Sequence, residues 1–195
     1  MLRLNNIFLI IVLIAISSCQ SPASFSNLNL NFDHLNKVSI NIESFEFIDN
    51  YEPPYTRPYV DHLYDETISE KVKRYFQYKI HTGKSDKRLK IIIKEASLKK
   101  ILKKNSDKLN IEKLFFDKSN LVYYAVLKIE VQVVNERGFI DAKIDTDVFF
   151  QKTKSGNLSI NEEAEVYFKI CENLILLLDK ELDAQIKKHF HNYIM

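Results

Sequence analysis

Apolar and polar residues alternate from Val38 onward, with Val38, Ile40 and Ile42 on one side and Ser39, Asn41 and Glu43 on the other. That two-residue period predicts a strand with one buried face. Phe45 and Phe47 continue the apolar content in the opposite register, which fits a bulge at Ser44. The period then changes to that of a helix. Thr67-Ile68-Ser69-Glu70 has capping-box spacing, and Ile68, Val72, Phe76 and Ile80 follow at four-residue steps, so one apolar stripe runs to an end near Gly83. Leu89, Ile91 and Ile93 alternate with Arg88, Lys90 and Lys94, interrupted only by Ile92, and predict a second strand.

The clearest alternation comes later. Leu121, Tyr123, Ala125, Leu127, Ile129, Val131 and Val133 share one face, with Lys128, Glu130 and Gln132 on the other. Asn135-Glu136-Arg137-Gly138 supplies a turn, and Ile140, Ala142, Ile144, Thr146, Val148 and Phe150 then alternate with Asp141, Lys143, Asp145 and Asp147. The pair reads as a long antiparallel hairpin with one dry face. Ser159 to Glu162 forms another capping box, opening a helix that reaches about His191. Its main stripe is Ala164, Phe168, Cys171, Leu174, Ile175, Leu178, Leu182 and Ile186, widened mid-helix by Ile170, Leu176 and Leu177.

The order strand, helix, strand, strand, strand, helix predicts a two-layer α/β (α+β) sandwich. A four-stranded mixed sheet carries two helices on one face, so that all the stripes are buried together. A crossover through the first helix joins the first two strands. The opposite sheet face, rich in Lys, Glu, Asp and Gln, is left to water or a partner.

Two connecting segments stand out. Between Asp49 and His62, Pro53, Pro54 and Pro58 are interleaved with Tyr51, Tyr55 and Tyr59, which excludes regular structure and predicts an ordered loop. Tyrosines on a stiffened chain suit partner contact, so Tyr51, Pro54, Tyr55, Pro58 and Tyr59 are candidate partner-binding residues. A loop packed over an open edge of the core explains the same residues and is the preferred reading. The second segment, Lys99 to Ser119, is lysine-rich and weakly periodic, a loop or an edge-strand extension. Its Lys99, Lys100, Lys103, Lys104 and Lys108 either meet anionic lipid head groups or reflect the general abundance of lysine.

The amino terminus has a different character. After Arg3 the chain is apolar from Ile7 to Ile16, the layout of an export signal. As a helix this run would be roughly 15 Å long, about half of the hydrocarbon core that a spanning helix must cross. Ile16-Ser17-Ser18-Cys19 follows and resembles the lipobox of bacterial lipoproteins, an aliphatic residue and two small ones before the cysteine that is acylated. The resemblance implies cleavage after residue 18 and lipidation of Cys19. Two or three long acyl chains at that residue would anchor the protein to a bilayer without embedding it. Gln20, in the position where sorting signals for inner-membrane retention carry Asp, points to the outer membrane. The expected organisation is a signal peptide over 1–18, a lipidated flexible tether over 19–36 rich in Ser and Asn, and a single periplasmic domain over 37–195.

Composition narrows the possibilities further. Removal of the signal leaves about 177 residues, enough for one domain with a real core. A formal charge of +2, falling to +1 without Arg3, argues against general nucleic-acid binding. The charge is nevertheless uneven, with thirteen basic and five acidic residues in 79–118 against eleven acidic and six basic in 136–183. Cys171 falls within a helical apolar stripe and reads as a buried, unreactive thiol. Of the five histidines only His189 and His191 are close, and two residues apart on a helix they diverge. Asp141, Asp145 and Asp147 share a strand face, where solvated acids are the better reading than a cation site. There is no Gly-rich phosphate loop and no nucleophile elbow. No catalytic residue, metal or cofactor is expected, and an enzyme is not.

With a lipobox preceding this element order, the chain resembles the small envelope lipoproteins of Gram-negative bacteria. These include the lipopolysaccharide-assembly lipoproteins of the LptE type and the auxiliary lipoproteins of ABC-type lipid transporters. Pro53-Pro54 through Pro58-Tyr59-Val60-Asp61-His62, Arg137-Gly138-Phe139 and the Asn161-Glu162 helix also resemble uncharacterised lipoproteins of this kind. The resemblance implies a non-enzymatic adaptor or accessory subunit that faces the periplasm and binds an envelope protein. The alternative of a different class is a lipid or glycan carrier, with its ligand in a cleft between helix and sheet near the Tyr51 to Tyr64 loop.

Overall fold

The structure, a computed structural model, describes residues 28–103 and 120–195; Cys19, Lys104 and Lys108 lie outside them. Six strands and two helices follow in the order β1 (Val38–Ile40), β2 (Ser44–Asp49), α1 (Ile68–Lys79), β3 (Ile80–Thr82), β4 (Arg88–Lys103), β5 (Asn120–Val134), β6 (Ile140–Ser155) and α2 (Ile160–His189). The main sheet has the order β2-β4-β5-β6. β2 runs parallel to β4 and the other pairs are antiparallel. The architecture is the expected α+β sandwich, with both helices and the inward residues of the sheet sharing one core.

Both capping boxes form, Thr67 with Glu70 at α1 and Ser159 with Glu162 at α2. The hairpin turn also follows the sequence. Gly138 takes a left-handed φ of 83°, and the Asn135 side-chain oxygen accepts the N–H groups of Arg137 and Phe139 at 3.0 and 3.1 Å. Outward residues near this turn are charged and paired: Lys87 with Asp141, Lys94 and Lys143 with Asp145, and Lys128 with Glu95. The aspartates weighed as a cation site thus include two that face lysines.

Three details depart from the expected pattern, and one open alternative is decided. The first strand is two strands without a bulge between them. β1 pairs with β3, while β2 joins the main sheet. Ile40 and Ile42 are both fully buried, and the chain turns between the strands as Glu43 N–H donates to Lys87 C=O and Gly83 N–H to Ile40 C=O. α1 accordingly stops at Lys79, and the residues up to Gly83 include β3. β4 extends to Lys103, so this part of the lysine-rich segment is strand. Finally, Leu30 and Phe32, within the segment read as tether, are buried in the core. Phe32 meets Tyr75 edge-on with ring centroids 6.0 Å apart, so the packed part of the chain begins before Lys37.

α2 buries Val166, Tyr167, Ile170, Cys171, Leu174, Ile175, Leu178, Leu182 and Ile186. In its first turns the buried positions are therefore Val166 and Tyr167, not the expected Ala164 and Phe168, which are half-buried. Leu176 and Leu177 face outward and are 41 and 39 % exposed. The helices are clamped together by Lys79 at the end of α1, wholly buried, whose ammonium meets Asp179 at 2.7 Å and Asp183 at 2.6 Å on α2.

Candidate binding cleft

β2 stops opposite Ile93 of β4, which leaves the rest of the β4 edge without a strand beside it. The proline-tyrosine loop fills that place. Lys100 N–H donates to Pro58 C=O at 2.8 Å, Val60 N–H donates to Leu98 C=O at 2.9 Å, and Tyr59 bridges Lys99. The Tyr59 ring also receives the Lys99 ammonium at 5.0 Å. Tyr51 and Pro54 are half-buried, and burial pushes the Tyr51 phenol up to about 12. Only Tyr55, 79 % exposed beside His62, offers itself outward. The preferred sequence reading, a loop covering an edge, describes Pro58 and Tyr59 well.

Beyond Tyr59 the same chain enters a cleft of about 550 Å³ between the loop that leads into α1 and the start of α2, with Lys100 as its lining residue from the sheet. Val60, Leu63 and Tyr64 form one side and Ile160, Ala164 and Phe168 of α2 the other, with Leu28 at the mouth. Ala164 and Phe168, the two stripe residues that the core leaves half-buried, are its apolar wall. None of the five candidate partner-binding residues lines this space. The lining comes from residues just downstream of them, where the sequence offers Tyr64 in an otherwise polar stretch and the early α2 stripe as its only signals.

Both lysines that line the cleft are paired. Lys71 meets Glu66 at 2.8 Å, and Arg74 meets the same carboxylate at 2.6 Å. Lys100 pairs with Glu163 across the mouth. Strand alternation thus sends Lys100 toward the core side, while Lys99 lies on the other face with Tyr59. The described lysines do not make one basic patch.

Under the cleft lies Asp61, only 4 % exposed. The Tyr167 hydroxyl lies 2.8 Å from the Asp61 Oδ1 and 2.8 Å from the Glu66 C=O. The Ile68 N–H of the α1 first turn donates weakly to both Asp61 oxygens at 3.3 Å. Burial outweighs the Tyr167 and Ile68 hydrogen bonds and raises the Asp61 carboxyl to about 6. Tyr64 stacks on Tyr167 with centroids 3.7 Å apart, and burial raises the pKa of both phenols. The neighbouring Cys171 thiol is pushed up to about 12, again by burial, which leaves it a poor nucleophile. Among the described residues no three His, Cys, Asp or Glu side chains are grouped to hold a metal ion, and no helix is long and apolar enough to cross a membrane. A cleft with an apolar wall and its lysines already paired is suited to holding an apolar group.

No protein-family model and no curated protein matches this chain. Among solved structures it is similar in fold to a minor lipoprotein from Acinetobacter baumannii, at 9 % identity and a TM-score of 0.43, over 75 % of this chain and 94 % of that one. It is also similar to the rare lipoprotein B from Shewanella oneidensis, at 11 % identity and a TM-score of 0.37, over 74 % and 95 %. Both likenesses are remote.

Proposed function

We propose that this protein is a non-catalytic accessory lipoprotein of the bacterial envelope, held on the periplasmic side of the outer membrane by acyl chains on Cys19, and that it binds an envelope protein partner. One observation carries the reading. The cleft has an apolar wall, its two lysines are already paired with carboxylates, and it opens beside Leu28, nine residues after Cys19. Replacement of Cys19 by serine is expected to abolish incorporation of radiolabelled fatty acid and to leave the chain unprocessed. Unchanged labelling and processing in that variant would remove the anchor from the account. Crosslinking in intact cells tests the partner, and recovery of no envelope protein counts against it.

The cleft itself favours a second reading, a carrier of a lipid or glycan. Its volume of about 550 Å³ lies within the roughly 300–1,000 Å³ of small-molecule sites. Ala164→Trp puts an indole into that space from the α2 wall. The expected result is loss of any lipid or glycan that native mass spectrometry finds on the detergent-extracted wild type. A ligand retained at full occupancy in the variant places it elsewhere.

A further inference from the structure

We infer that the mouth of the cleft docks on the bilayer that carries the anchor, so that the domain sits with this end pressed to the lipid surface. The inference rests on the lipid-anchor reading and adds an orientation to it. Three aliphatic side chains from separate elements surround one opening. Ile160 at the start of α2 is 76 % exposed, Leu63 after the proline-tyrosine loop is 69 % exposed, and Leu28 is 40 % exposed. Exposed aliphatics scattered singly need no explanation, but a group around one concave opening marks an interaction surface.

The length of chain leading to Leu28 says which surface. It lies nine residues after Cys19, a reach of at most about 30 Å. The mouth is therefore held close to the head groups however the domain turns, at a high effective concentration of lipid surface. Lys71 and Lys100 each keep a carboxylate partner there, so neither cation must leave water alone. The opposite end of the molecule also exposes apolar groups, Phe139 at 68 % and Ile140 at 52 % on the β5–β6 turn. Lys100 at the cleft pairs with Tyr123, eleven residues of strand before Val134, which puts that turn about 36 Å away. Docking by the mouth points the turn into the periplasm.

The test uses the full-length lipidated protein in vesicles of phosphatidylethanolamine and phosphatidylglycerol. Cys171 is buried and Cys19 is occupied by its lipid, so an environment-sensitive nitrobenzoxadiazole label reports only an introduced cysteine. Labels at Leu63→Cys and Ile160→Cys are expected to shift to the blue and to be quenched at least twofold by brominated-acyl lipids, and a label at Phe139→Cys is not. Unquenched labels at both rim positions in protein carrying fatty acid on Cys19 overturn the docking and leave the anchor standing. Rim labels shielded from water yet unquenched by brominated lipid also overturn it, because residues 20–27 or another protein would then cover the mouth. Quenching at Phe139→Cys alone assigns the contact to the opposite end. Absence of fatty acid from Cys19 in the wild type removes the anchor and the docking together.

Discussion

Replacement of Lys79 by methionine is expected to lower stability by about 3 kcal/mol, at the low end of the cost of breaking a buried ion pair. The Lys79 side chain is fully buried at the end of α1, within 2.7 Å of Asp179 and 2.6 Å of Asp183. Asp179 also accepts the Tyr75 hydroxyl at 2.8 Å. Asp179 and Asp183 stand one turn apart on α2, so the ammonium is what permits two carboxylates to face the core together. Methionine keeps most of the buried stem and removes only the charge. The aspartates, with side chains 14 and 27 % exposed, recover part of their solvation by turning outward, which holds the cost near the lower bound. For a domain of this size the loss corresponds to a fall of about 6–12 °C in melting temperature. Adding Asp179→Asn and Asp183→Leu to the same chain is expected to restore much of it, since no uncompensated charge then remains and the amide oxygen at 179 can still accept the Tyr75 hydroxyl. Thermal and urea unfolding measure both changes. A single variant within 1 kcal/mol of wild type would mean that the clamp contributes little to holding α1 on α2.

Lys79 also illustrates the limit of what the chain reveals in one dimension. Locally it is a lysine in the last turn of a helix, a common exposed position. Its partners lie 100 residues or more further on, and nothing near it in sequence marks it as buried. Where a structural cause is local, the sequence discloses it. The capping boxes at Thr67 and Ser159 and the turn at Gly138 each depend on neighbours within four residues. The alternation from Tyr123 to Val133 likewise reports one buried face directly. The break between β1 and β2 is invisible because Ile40 and Ile42 keep the strand period while both their carbonyls accept from the distant Gly83 N–H. The strand over Lys99 to Lys103 is obscured because Lys100 occupies an inward position that only Glu163, brought alongside by α2, makes tolerable. The cleft is half legible. Ala164 and Phe168 stand in the helical stripe, but their release from the core follows from the way Tyr167 turns in to meet Tyr64 and Asp61. The proline-tyrosine loop was recognisable as ordered, and its edge-covering role required knowing where β2 ends.

Asp61→Asn is expected to flatten the pH dependence of stability between about pH 4 and pH 7. Burial raises the carboxyl from 3.8 to about 6 in the folded chain. Between those values the folded protein binds a proton that the unfolded chain has released. The stabilisation from Asp61 is therefore complete below about 3.8 and is lost as the pH rises through about 6, a change on the order of 3 kcal/mol. Asparagine has nearly the same shape, cannot ionise, and can still accept from Ile68 or Tyr167. The stability of the variant minus that of the wild type should accordingly grow by on the order of 3 kcal/mol from pH 4 to pH 7, followed by urea midpoints at fixed intervals. Parallel profiles would show that Asp61 does not titrate in this window. The hydrogen bonds rearrange with the same proton. Tyr167 has one hydroxyl proton and two acceptors at 2.8 Å, Asp61 and the Glu66 carbonyl. A protonated Asp61 satisfies both contacts, donating to the Tyr167 oxygen while Tyr167 donates to Glu66. An ionised Asp61 competes with that carbonyl for the same proton. Since Glu66 and Tyr167 both border the cleft, the same proton that changes stability also rearranges hydrogen bonds at the cleft wall.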